Sequence, residues 1–345
     1  MTDINPELVQ YYPQESPAPQ EEQAKTSLNF PLDTPAYALG FCKSPSKPIK
    51  AALGTYKEEG FNTINLLQVN ENRTEINKIA SVNTEFAPTK LMWSANTNDQ
   101  EFDIVATTSD CLRLYKMTET GFGLEANLVN TQQEEMSAPL TSFDWNPVHP
   151  ETICCAAIDT TCSIWDIQQQ KLTKLIIAHD KEVFDVSFAA EGNYFTTVGA
   201  DCTARLFDIR SLSCSNIIFE HNEPLVRILW NKKHNSNLIA LVSMLENEII
   251  LLDIRHPLYP ASTLKYHKLP VNNVAWSSTS PHQLCSISMD RHAYLWDIEK
   301  LENHISSPIL EYESESDLYN LSWCEYNDWI GINKSDSFIM LKIIK

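Results

Sequence analysis

The side chains best equipped for chemistry in this sequence are histidines, hydroxyls and carboxylates that come in sets. His267, Ser286 and Asp290 form one set, followed by Trp296. His179, Thr197 and Asp201 form a second, with Phe207 where the first has tryptophan. Asp159 and Trp165 belong to a third that has no matching histidine. A histidine beside a carboxylate invites a catalytic reading, either general acid–base chemistry or metal-assisted hydrolysis. Yet the chain has no H-E-x-x-H, no G-x-S-x-G and no phosphate loop, only the isolated Gly121-Phe122-Gly123. The sets recur with a structural period instead, so the elements carrying them come first.

Two marks repeat seven times. The first closes a short alternating segment: YALGF to Phe41, TKLMW to Trp93, TSFDW to Trp145, FDVSF to Phe188, VRILW to Trp230, NNVAW to Trp276 and YNLSW to Trp323. The second is a tetrapeptide: LLQV at 66–69, LYKM at 114–117, IWDI at 164–167, LFDI at 206–209, LLDI at 251–254, LWDI at 295–298 and MLKI at 340–343. Between them lie apolar runs such as ICCAAI at 153–158 and LCSISM at 284–289. Runs of this length with period-2 patterning between polar turns are strands. Each unit therefore has strands a, b and c and a weaker strand d, exemplified by KLTKLIIA at 171–178. Seven such units predict an all-β, seven-bladed propeller.

The tetrapeptides IWDI and LWDI, with the His and Asp that precede them, resemble the WD-repeat family over residues 25 to 345. In that family a His in the d-to-a loop, a Ser or Thr on strand b, an Asp in the b-to-c turn and a Trp on strand c form a buried relay. The resemblance thus implies a structural relay of His267, Ser286, Asp290 and Trp296, and a partial one of His179, Thr197 and Asp201. A buried Asp is tolerated when it is fully hydrogen-bonded, and a closed polar network fixes one arrangement of strands. The runs SAPLTSFDWNP, IDTTCSIWDI, IAHDKEVFDVSF and VGADCTARLFDIR resemble one subfamily more closely. It contains the plant regulator Transparent Testa Glabra, the petunia anthocyanin regulator, and animal counterparts associated with cullin-four ubiquitin ligases that bind dual-specificity tyrosine-regulated kinases. This implies a non-enzymatic scaffold linking kinases and transcription factors. The alternatives are a substrate receptor or adaptor of a cullin-four ligase and, in another class, a propeller hydrolase. Asp201-Cys202 stands where the family has Asp-Gly, so Cys202 is expected to bear a positive φ that glycine adopts more easily.

Propellers bind partners on the face built from the d-to-a and b-to-c loops. The residue four before each strand-a aromatic is expected at that rim: Tyr37, Thr89, Thr141, Phe184, Val226, Asn272 and Tyr319. Pro35, Pro88, Pro139, Pro224 and Pro270 would stiffen it. Glu182, Asp185 and Asp317 would give it the negative charge to meet a basic segment. Arg210 and Arg255, after LFDI and LLDI, resemble the x-D-x-R box through which many WD-repeat proteins contact the cullin-four ligase adaptor, and they are expected on the opposite face.

Strand c of the seventh unit falls at the end of the sequence, so Ser27-Leu28-Asn29-Phe30 is expected to supply its fourth strand. Residues 1–24, with Pro6, Pro13, Pro17 and Pro19 among Gln and Glu, read as a flexible acidic tail. Residues 25–345 then form a single propeller, expected to act as a monomer within complexes. The net charge of -19 disfavours nucleic acid and anionic membranes as direct ligands. Nine cysteines without a C-x-x-C pair suggest neither zinc nor disulfides, no cofactor is called for, and no leader or apolar span is evident. Cytoplasm and nucleus are the expected compartments.

Overall fold

The computed structural model describes residues 27–43, 48–94, 104–118, 121–129, 138–233, 236–299, 304–305, 307–325 and 328–343. The acidic segment 1–24 lies outside the described residues. Strands form seven sheets, each one blade with four neighbouring antiparallel strands. Strands a, in order, are Ala36–Phe41, Lys90–Trp93, Leu140–Trp145, Val183–Phe188, Leu225–Trp230, Val271–Trp276 and Leu318–Trp323. All seven aromatic marks are the last residues of these strands.

Both faces of a blade are covered by its neighbours, which explains why the strand-b runs are apolar without interruption. In blade 3, Cys154 and Ala156 pack with Val186, Phe188, Phe195 and Phe207 of blade 4. The intervening Ile153, Cys155 and Ala157 pack with Ala106, Leu112 and Leu114 of blade 2. The sheet pleat turns a continuous apolar run into two interfaces.

Blade 7 is completed from the other end of the sequence. Ser27–Pro31 pairs antiparallel with Ser337–Lys342, Leu28 opposite Met340 and Phe30 opposite Phe338. Leu28 is buried in the core shared by blades 7 and 1, with Phe41, Leu53 and Phe338. The closing strand therefore removes an open sheet edge and seals an interface at once.

Two features depart from simple repetition. Blade 5 is five-stranded: His304–Ile305, from the c-to-d connection of blade 6, pairs in parallel with Thr263 and Leu264. In six blades strand a carries a register shift between its first and third residues. Such a bulge sets two residues against one on the partner strand and re-aims the side chain between them. That side chain occupies the expected rim position.

Candidate functional site

In blade 6 the hydrogen bonds run in one direction. Asp290 can only accept, so the proton sits on His267 Nδ1, which donates to its carboxylate at 3.0 Å. His267 Nε2 then accepts from the Ser286 hydroxyl at 2.8 Å, and Ser286 Oγ accepts from the Trp296 indole at 2.9 Å. Asp290 also accepts the amides of Lys268 and His292. In blade 4, His179 Nδ1 donates to Asp201 at 2.9 Å and Nε2 accepts from Thr197 at 2.7 Å. Phe207 replaces the indole and stacks on Phe195 at 5.0 Å, while Arg205 adds a bond to Asp201 at 2.9 Å. Burial lowers the pKa of both histidines, outweighing the pull of Asp201 and Asp290. Both imidazoles are thus neutral at physiological pH, as the direction of the bonds requires. Trp165 in blade 3 donates within its own strand, to Ser163 at 3.0 Å.

A third histidine–carboxylate pair, His221 and Glu246, joins at 2.9 Å in blade 5. His221 stands four residues before strand a, as His179 and His267 do. It escapes a sequence reading because Leu245 displaces the turn carboxylate by one position. The b-to-c turns hold the positive-φ residues Thr160, Cys202 and Arg291, so the turn is kept without glycine in three blades. Glycine is needed at the end of strand b in blade 4. A Cβ on Gly199 would come within 2.6 Å of the Glu182 carbonyl oxygen.

Tyr37, Thr89, Thr141, Phe184, Val226, Asn272 and Tyr319 are all half-buried, and several face the next blade rather than solvent. Thr89 donates to the Leu140 carbonyl at 3.0 Å, Thr141 to that of Val183 at 2.7 Å and Asn272 to that of Leu318 at 2.7 Å. Each bond reaches the first residue of the next strand a, and for Thr141 and Asn272 it follows from the bulge. Exposed apolar residues of this face include Met244, Leu245, Leu269 and Met289 on blades 5 and 6. Met244 donates its amide to the Pro224 carbonyl and Met289 to that of Pro270, which sets both beside the stiffened loops. Met244 and Met289 each directly follow strand b of their blade. The expected negative rim is also revised. Asp185 is buried against Ser142 and Lys90, and Asp317 pairs with Arg291 at 3.0 Å, which leaves Glu182 exposed and without an ion pair among the described residues.

On the opposite face two turns share one geometry. Asp208 receives Arg210 at 2.6 Å and Asp253 receives Arg255 at 2.5 Å, both through the guanidinium, and each carboxylate also caps its arginine's amide. The hydrogen bond from Arg210 holds Asp208 down at a pKa of about 2, and that from Arg255 lowers Asp253 as well. The side chains are 62% and 65% exposed, on neighbouring blades. Arg210 lies over the Tyr194 ring at 5.7 Å. The loop after Arg255 carries Leu258 and Tyr259, 83% and 79% exposed. In blades 3 and 6 the same turn position is Gln168 or Glu299. No group of three or more His, Cys, Asp or Glu among the described residues is placed to hold a metal ion.

The pattern described as WD domain, G-beta repeat matches residues 170–208 and 258–297. Over 89% of this chain and 95% of its own length, the DDB1- and CUL4-associated factor 7 homolog of Dictyostelium discoideum is 36% identical. The chain belongs to that WD-repeat family. A WD repeat-containing protein of Schizosaccharomyces pombe is 33% identical over 85% of this chain and 84% of its own. One from Saccharomyces cerevisiae is 31% identical over 71% of this chain and 54% of its own. For a member of this family, the Asp-x-Arg turns and the opposite apolar face are the two surfaces to explain.

Proposed function

We propose that this chain is a non-catalytic WD-repeat adaptor that docks on the DDB1-type adaptor of a cullin-four ubiquitin ligase through the face bearing Arg210 and Arg255. The observation that carries the reading is the duplicated Asp-x-Arg turn on adjacent blades. Each arginine is held by its own carboxylate, so its fork is oriented before a partner arrives, which lowers the entropic cost of binding. Exposed arginine and tyrosine beside an apolar side chain are the residue types that dominate interface energetics. The name of the Dictyostelium relative supports the same partner. Immobilised adaptor should retain the purified chain, and the Arg210→Ala, Arg255→Ala double variant should be lost from it. Equal retention of folded wild type and variant would remove these positions from the interface.

A second surface supports the scaffold part of the reading. Met244, Leu245, Leu269 and Met289 lie on the face opposite the arginines, and flexible methionine suits partners of differing shape. A kinase or transcription regulator, the partners implied by the subfamily resemblance, would be held there while the ligase adaptor occupies the other side.

A further inference from the structure

A channel of about 520 Å³ runs between the strands a and is lined by Lys43, Lys90, Arg227, Lys232 and Lys233 against the carboxylates Asp144, Asp185 and Glu325. An excess of cations is unexpected at the centre of a chain of net charge -19. Each carboxylate is already engaged. Asp185 receives Ser142 at 2.5 Å, Lys90 at 3.3 Å and the amides of Val186 and Ile228. Asp144 receives Lys232 at 2.5 Å and the amides of Trp145 and Phe188. Glu325 pairs with Lys43 at 3.1 Å.

Arg227 and Lys233 are the two lining cations without an ion pair among the described residues. Lys233 donates to the Ser278 carbonyl at one mouth. Arg227, on blade 5, reaches across the lumen to one acceptor among the described residues, the Tyr37 hydroxyl on blade 1. A guanidinium has five N–H donors in a fork that matches a planar or tetrahedral oxyanion; the phenol takes one of them, and the Asp185 carboxylate, which acts on the guanidinium through its charge, is already engaged by Ser142 and Lys90. Lys90 stands at the same level of the channel, since both residues lie three positions before the tryptophan that ends their strand a.

We propose that the channel binds a small, multiply charged oxyanion of the phosphate class, with Arg227 as its principal ligand and Lys90 beside it. The anion neutralises the lumen from within and links blade 5 to blade 2.

The test is calorimetric titration of sodium pyrophosphate into the purified full chain at constant ionic strength. The expected result is one site per chain. Arg227→Met weakens it by about tenfold or more, the range for losing hydrogen bonds to a charged group. Tyr37→Phe frees the fork of its internal acceptor, so it binds pyrophosphate at least as tightly as wild type. Absence of binding to wild type overturns the proposal, as does unchanged affinity in a folded Arg227→Met. Should that variant not fold, weaker binding by folded Tyr37→Phe overturns it and equal or tighter binding supports it.

Discussion

His267 accepts the Ser286 hydroxyl only while its imidazole is neutral, so the relay couples hydrogen bonding to protonation state. Replacing it by alanine leaves Asp290 and Ser286 buried without their partner. His267→Ala should therefore cost about 1–3 kcal/mol, read as a lower urea midpoint. An unchanged midpoint would contradict the relay's contribution. The histidines also set a pH dependence. Their folded pKa values lie below the ordinary imidazole value of 6.5, because burial disfavours the charged ring. The unfolded chain then takes up protons first as pH falls. This stability is complete above the unfolded value and is lost as pH falls through the depressed folded values. Asp201 and Asp290 are lowered too, hydrogen bonds outweighing burial, so their contribution is lost in the same direction at lower pH. The urea midpoint should fall between about pH 7.5 and about pH 5.5. A flat profile would mean that the rings titrate alike in the folded and unfolded chain, against the lowering by burial. The residues of both relays were legible because their spacing repeats. His221 with Glu246 was not, since a one-residue shift of the carboxylate hides the pair from any fixed-interval search.

The strand that closes the ring makes the sharpest prediction for an element. Leu28 is buried between blades 7 and 1, while its neighbour Asn29 is exposed. Leu28→Ala should cost about 2–5 kcal/mol, as loss of a buried leucine does. Asn29→Ala should stay within about 0.5 kcal/mol. Equal effects in urea melts would show that the strand is attached without being packed. The aromatic marks gave the ends of all seven strands a, because the last residue of that strand must fill the space between blades. The bulge at its start left no comparable trace. A bulge is a property of pairing between strands, and residues as different as Thr141, Val226 and Tyr319 occupy it. Several positions read as a rim, Thr141 and Asn272 among them, also tie one blade to the next. The strand His304–Ile305 was hidden for a related reason: two residues have no period.

At the scale of the molecule, the chain is a ring with two unlike faces and a charged lumen. Neither the lumen nor the apolar patch was visible in the sequence. Lys90 and Asp185, or Lys232 and Asp144, stand about two blades apart, and only closure of the ring brings them together. The Asp-x-Arg turns were visible because each is local, with partners two residues apart. What the structure adds is their adjacency, their common geometry and the exposed Leu258 and Tyr259 beside them. The central claim is that this face binds the ligase adaptor. Its most direct measurement is the affinity of the purified adaptor for wild type and for the folded Arg210→Ala, Arg255→Ala double variant. The account predicts that truncating two interface arginines weakens binding by about a hundredfold or more. Binding of the double variant with wild-type affinity would contradict it.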